Sequence, residues 1–240
     1  MKLLAFDTST EILSVALTDG SRVWQHTGPG AAQASAALIP TLLDLLAQAG
    51  LALGELDALV FGRGPGSFTG LRTACSVAQG LALGAKLPVL PLNTLLAVAE
   101  EARFQHRPTS GALALTALLD ARMDEMYVQR FAFDGAQWSS QAGCVLTRPE
   151  NLQLAPADVL LAGNVFSVYA GRLPAGLAAL QCAPSLPTAT AMLRLAPALL
   201  AAGQGVDAAH ALPLYVRDKV ALTTDERARA KAAAALVTPL

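Results

Sequence analysis

Residues 3–20 read LLAFDTSTEILSVALTDG and residues 114–135 read ALTALLDARMDEMYVQRFAFDG. Each is an apolar run ending at an aspartate (Asp7, Asp120), then a short polar turn, a second alternating run and an Asp-Gly turn. That is the pattern of a strand, a turn and a returning strand. Further along each half lies a second matching pair, DALVFG (57–62) and DVLLAG (158–163), each leading toward a helix. A third pair, LPVLPLNTLLAVAEEA (87–102) and APSLPTATAMLRLAPALLAAG (183–203), gives a Pro-flanked extended piece followed by a helix. Strands alternating with helices predict mixed sheets flanked by helices, an α/β fold. The matching order predicts an internal duplication, with chance recurrence of βα patterns as the alternative. The expected boundary falls near residues 103–112, where Pro, Gly and polar residues gather. The expected division is 1–105, 106–222 and a loose terminal helix over 223–240.

Of the 240 residues, 53% are apolar and 15% charged, and the net charge is −1. A core of real size is therefore affordable. The apolar richness fits either a surface covered by a partner subunit or a general Ala and Leu bias. Balanced charge gives no electrostatic basis for gripping a polyanion, so a nucleic-acid role is expected to be indirect. No apolar run reaches the roughly 18 residues of a membrane span, and MKLLAFDTST lacks a signal-peptide pattern. The expected location is the cytoplasm. Cys75, Cys144 and Cys182 lack CxxC spacing, and His26, His106 and His210 lack HxxxH or HExxH spacing. Neither set predicts a metal centre.

Residues 62–72, GRGPGSFTGLR, raise the question of function. Glycines here either cradle a phosphate or let another backbone come close. A Walker loop would need GxxxxGK[ST], and a dinucleotide fingerprint GxGxxG; neither is present. The strand LDALVFG instead feeds a glycine turn and a helix capped by Ser67 or Thr69. That helix carries Gly70, Ala74, Ala78 and Ala82 at four-residue intervals, a row that packs closely either on its own sheet or on another subunit. Residues 33–50, QASAALIPTLLDLLAQAG, form a second helix with a wide apolar stripe, interrupted or restarted at Pro40 and ended by Gly50.

FDTST, GRGPGSFTGLR followed by SVAQGLALG, LDARMDEMY and PLYVR (213–217) together resemble the bacterial TsaB (YeaZ) family of tRNA threonylcarbamoyladenosine biosynthesis proteins. The resemblance covers about residues 1–217. It implies a two-lobed actin-like ATPase fold (ASKHA, ribonuclease H-like) with duplicated domains, the second reduced. It also implies a non-catalytic subunit that supports its paralogue TsaD, which transfers threonylcarbamoyl to N6 of adenosine 37 in tRNAs reading ANN codons. Partners implied are TsaD, the ATPase TsaE, and a second copy in a homodimer, with tRNA met only through the complex and no membrane. No cofactor is expected in this subunit; ATP and metal are expected on the partner proteins. One departure is Ala34-Ser35-Ala36, where many family members carry His-Ser-Glu.

The partner or dimer face expected from the resemblance uses Leu38, Leu42 and Leu45 of the first helix. From the second it uses Gly70, Ala74 and Ala78, with Phe68 and Arg72 as anchors. Arg122 and Glu125 either touch a partner or ride a solvated hairpin. The main rival is an actin-like phosphotransferase, for which Asp7, Thr8 and Ser9 with Gly64, Gly66 and Ser67 would make a weak nucleotide or anion contact. The other reading of Asp7 is a residue satisfying its own turn. A peptidase would need a nucleophile with a base or a metal pair; no histidine stands on such a motif, and Thr94 and Val98 occupy the places of the HxxxH pair of the catalytic paralogue.

Overall fold

Leu3–Asp7 (β1) and Ile12–Thr18 (β2) pair antiparallel, with Phe6 opposite Val15 and Asp7 opposite Ser14. Val23–Pro29 (β3) continues the meander on the outer side of β2. Ala58–Gly64 (β4) then joins β1 in parallel, and Val89–Asn93 (β5) joins β4 in parallel. The first sheet thus runs β3-β2-β1-β4-β5. β1 is buried throughout because helices cover both faces of the sheet, so its sequence is a continuous apolar run rather than an alternating one.

Leu113–Arg122 (β6), Glu125–Phe133 (β7) and Trp138–Ser140 (β8) make the second meander, with Val145–Thr147 (β9) also on β7. Leu160–Gly163 (β10) and Gln181–Pro184 (β11) complete it through parallel pairs, giving the order β8-β7-β6-β10-β11. The two sheets share one strand order and one pattern of parallel and antiparallel pairs. The duplication read from the hairpins is present in the topology.

The computed structural model describes residues 1–30, 33–106, 111–154 and 159–217. The expected terminal helix over 223–240 and residues 107–110 of the expected boundary lie outside the described residues.

Ala34–Ala49 (α1) and Phe68–Ala85 (α2) cover one face of the first sheet, where Leu38, Leu42, Leu45, Ala74 and Ala78 pack with Phe6 and Phe61. α1 runs through Pro40 and ends at Gly50, which takes the left-handed conformation. Thr94–His106 (α3) starts where Asn93 Oδ1 accepts the N–H groups of Leu95 and Leu96, and it lies between the sheets. Its Leu95, Val98, Ala99 and Ala102 pack on the second sheet, while Ala97 joins the core of the first. Ala189–Ala201 (α5), capped by Thr188, belongs by chain order to the second half but packs on β1, β2 and α3. Where α1 and α2 stand in the first half, the described part of the second carries a 3-10 turn at Pro149–Asn151, the single turn Val165–Val168 (α4) and a 3-10 helix at Ala175–Ala179. The second half is the reduced one.

A charged network binds α3 to α5. Arg194 donates to Glu100 (2.9 Å) and Glu101 (2.6 Å), Arg103 grips both oxygens of Glu100, and Trp138 donates to Glu100. Burial alone would raise the Glu100 carboxyl, but the donors from Arg103, Trp138 and Arg194 together hold it below its usual range.

Candidate functional site

The glycine loop is closed by its own chain. A Cβ on Gly70 would lie 1.8 Å from the Thr8 carbonyl oxygen, and one on Gly66 2.6 Å from Ser9 atoms. A Cβ on Gly62 would meet Asp7 Oδ2 at 1.8 Å, and one on Gly64, where φ is +115°, the Leu214 carbonyl oxygen at 2.7 Å. Hydrogen bonds fasten the same contact: Thr8 Oγ1 donates to Gly70 O (2.7 Å) and Ser67 N to Ser9 O (2.7 Å). Gly62, Gly66 and Gly70 therefore serve close approach to residues 7–9, and Gly64 close approach to residue 214. Ser67 Oγ caps that helix by accepting from Gly70 N.

Asp7 sits beneath this contact, fully buried. Ser9 donates to its Oδ1 through both N–H (2.8 Å) and Oγ (2.6 Å). Oδ2 has no hydrogen-bond partner among the described residues. Burial pushes the Asp7 pKa up to about 6, against the pull of Ser9 and, more weakly, Thr94. Thr94 Oγ1 itself accepts Gly64 N (3.1 Å), and Val98 is buried in the core.

Between the sheets lies a cleft of about 250 Å³ bordered by Ser9, Thr10, residues 66–68 and 119–122, Asn164 and residues 214–217. Asp120, the counterpart of Asp7, accepts from Tyr169 Oη (2.7 Å) and from Arg122 N (2.9 Å). Burial first, and then this bond to Asp120, raises the Tyr169 phenol. Phe68 and Tyr215 stack at the rim with centroids 5.4 Å apart. Arg72 lies 3.9 Å over the Phe68 ring and donates to Tyr215 Oη (3.1 Å).

Several expected site residues fall elsewhere. Leu38, Leu42 and Leu45 are 0 to 2% exposed and face the first sheet, and Gly70, Ala74 and Ala78 are buried on the same side. They form the chain's own core, and the small-residue row packs on its own sheet. Phe68 (42% exposed) and Arg72 do reach the surface. Asp7, Thr8 and Gly64 are buried and do not border the cleft, whereas Ser9, Gly66 and Ser67 do. The space next to Gly62, Gly64 and Gly70 is filled by the chain's own atoms. Glu125 is paired with Arg217 at 2.7 Å, and Arg122 is exposed 3.6 Å from Asp120. Tyr215 and Arg217 were given no role by sequence reasoning, although PLYVR marks their place. The outward apolar residues Ile39, Leu43 and Leu83 also escaped notice; their signal is an apolar residue off the buried stripe of its helix.

Two sheets of one strand order with helices around them define a duplicated α/β protein of the actin-like, ribonuclease H-like class. The family model described as TsaD, tRNA N6-adenosine threonylcarbamoyltransferase, matches residues 29–237. The "tRNA threonylcarbamoyladenosine biosynthesis protein TsaB" of Escherichia coli is 34% identical over 228 residues, covering 92% of this chain and 96% of that protein. The protein of the same description from Haemophilus influenzae is 43% identical over 127 residues, covering 53% of this chain and 52% of that one. The solved structure of YeaZ from Pseudomonas aeruginosa superposes with a TM-score of 0.79 at 36% identity, over 89% of this chain and 99% of that one. The chain belongs to the TsaB (YeaZ) family. Among its described residues no helix is long and apolar enough to cross a membrane.

Proposed function

We propose that this protein is a non-catalytic partner subunit in the formation of N6-threonylcarbamoyladenosine at position 37 of tRNAs reading ANN codons. Its partner is a TsaD-type transferase, with a TsaE-type ATPase joining the complex and ATP and metal residing on those proteins. The observation that carries this reading is the closure of the glycine loop on residues 7–9. From the cleft only Gly66 and Ser67 of that loop are reachable, because its other glycines pack against residues 7–8 and 214, which leaves little for a phosphate to be gripped by. The family names of the relatives supply the pathway.

The docking face follows from what α1 and α2 leave outside. Ile39 (44% exposed), Leu43 (54%) and Leu83 (76%) face outward on the two helices that cover the first sheet, with Phe68 and Arg72 at the α2 start. Apolar residues rimmed by polar ones on a helix pair suit another helix pair, either that of the transferase or of a second copy. Arg72, placed over Phe68 and bonded to Tyr215, is pre-ordered as an anchor.

The test is reconstitution. With the TsaD-type transferase, the ATPase and tRNA from the same organism, transfer of threonylcarbamoyl should require this chain, and this chain alone should give none. Full transfer without it, under otherwise complete conditions, would refute the proposal.

A further inference from the structure

The cleft between the sheets carries polar groups that the fold itself leaves unused. From the second half comes Asp120, whose side chain is 8% exposed. Its Oδ1 takes the Tyr169 hydroxyl (2.7 Å) and the Arg122 N–H (2.9 Å), while Oδ2 accepts no hydrogen bond among the described residues. Arg122 Nε, at 3.6 Å from Oδ2, is beyond hydrogen-bond reach on a side chain 76% exposed. Asp7, the counterpart in the first half, has its unbonded oxygen sealed against Gly62, whereas Asp120 opens on the cleft. Asn164 Oδ1 accepts the Asp120 N–H (2.8 Å) and so fixes the aspartate in place. Tyr127, 7% exposed, also borders the cleft, and its hydroxyl makes no hydrogen bond among the described residues. A buried carboxylate oxygen and a buried phenol that the fold does not satisfy call for a partner in the space they face.

The first half supplies the opposite character. Ser67 Oγ accepts from Gly70 N, so its O–H remains to donate, and the Phe68 N–H has no acceptor among the described residues. Both residues border the cleft at the start of the 18-residue α2, whose positive end favours a negative group. Of the other charged groups there, Arg217 is committed to Glu125 (2.7 Å) and Glu11 is exposed. Leu71, Leu119 and Val216 give the cleft an apolar lining. At about 250 Å³ it is smaller than the roughly 300 to 1,000 Å³ pockets that enclose drug-sized ligands, so its occupant is smaller than a nucleotide. An anion that takes a cation, two donors that take a carboxylate and an apolar lining together match a small zwitterion with an aliphatic body.

We infer that the cleft binds a free aliphatic α-amino acid, its ammonium on Asp120 Oδ2 and the Tyr127 hydroxyl, its carboxylate on Ser67 Oγ and the Phe68 N–H. The site takes one set of groups from each half of the chain. The inference does not depend on the proposed partner.

NMR titration of the full chain with L-alanine, L-valine and L-leucine tests it. At least one of the three should bind saturably below about 10 mM. The tightest is then compared with the amine that lacks its carboxylate and the acid that lacks its ammonium, and each should bind at least roughly tenfold more weakly. Asp120→Asn, which keeps an oxygen for Tyr169 and Arg122 N, should weaken the amino acid by the same factor. Tyr127→Phe removes one oxygen, leaves the ring in the core and should weaken it roughly fivefold. No saturable binding of any of the three would overturn the site, and so would binding that both variants leave unchanged. Equal binding of the acid without its ammonium would overturn the amino-acid assignment.

Discussion

Gly70→Ala places a methyl where the Thr8 carbonyl already is. The added carbon would begin 1.8 Å from that oxygen and 2.9 Å from its carbon. Reaching ordinary contact requires the turn and the helix to part by roughly 1.6 Å. Both obstructing atoms are backbone, so no rotamer relieves the clash. Overpacking of this kind costs about 3 kcal/mol. Parting the surfaces also breaks the Thr8 to Gly70 and Ser67 to Ser9 bonds, worth about 2 kcal/mol together. Alanine's helix propensity returns about 1 kcal/mol, leaving a net loss of about 4 kcal/mol. For 240 residues, with an unfolding entropy of about 0.5 kcal/mol/K, this lowers Tm by roughly 8 °C. Gly84→Ala in the same helix is the control: it meets nothing within 4 Å and should gain about 0.5 to 1 kcal/mol. Urea unfolding followed by circular dichroism reads both. A Gly70→Ala protein within 1 kcal/mol of its parent would refute the closed-loop account.

Asp7→Asn should change the pH dependence of stability. The folded pKa, about 6, is above the ordinary 3.8, so the native state binds this proton more tightly than the unfolded chain does. The stability from that proton is fully present below about pH 4 and is lost as pH rises through 6, a difference of about 3 kcal/mol. The parent should therefore gain stability relative to Asp7→Asn as pH falls from 7 to 4; parallel urea-midpoint curves would contradict this. Arg194→Ala removes a shared partner of Glu100 and Glu101, whose side chains are 4% and 11% exposed, and should cost about 3 kcal/mol in urea unfolding. A double-mutant cycle with Glu100→Gln should return a coupling of about 1 kcal/mol or more, and additivity would exclude the network. Leu83→Asp, on a side chain 76% exposed, should leave stability within about 0.5 kcal/mol and weaken capture by the transferase. Undiminished co-purification would move the docking face elsewhere.

The duplicated hairpins, the glycine turn and the helix that follows were readable because each rests on local pattern. An apolar run ending in Asp, a Gly-rich turn and a capping serine act over a few residues. What escaped was relational. An apolar stripe such as Leu38, Leu42 and Leu45 states that one face is buried, not what buries it, and the chain's own sheet proved to be the cover. The glycine loop could be stripped of phosphate motifs from sequence, but its occupants, residues 7–9 and Leu214, come from more than fifty positions away. β3, β8 and β9 were missed for another reason. They are short or exposed edge pieces with little periodicity, as in Val23–Pro29, which carries Gly and Pro. Arg217 shows the same limit, since no periodic signal marks a lone arginine that reaches back to the turn between β6 and β7.

The placement of α5 bears on how the chain is made. Leu3, Ala5, Val60 and Leu92 on one face of the first sheet pack with Ala189, Met192 and Ala196, among the last core residues to be synthesised. A ribosome adding roughly 5 to 20 residues per second leaves that face without its own helix for something like ten to forty seconds after β1 emerges. For that interval a nascent chain presents an apolar β surface that α3, through Ala97, covers only in part. Production of soluble protein should accordingly depend on slow translation being matched by chaperone capacity, and a fragment ending before residue 189 should be recovered chiefly as aggregate.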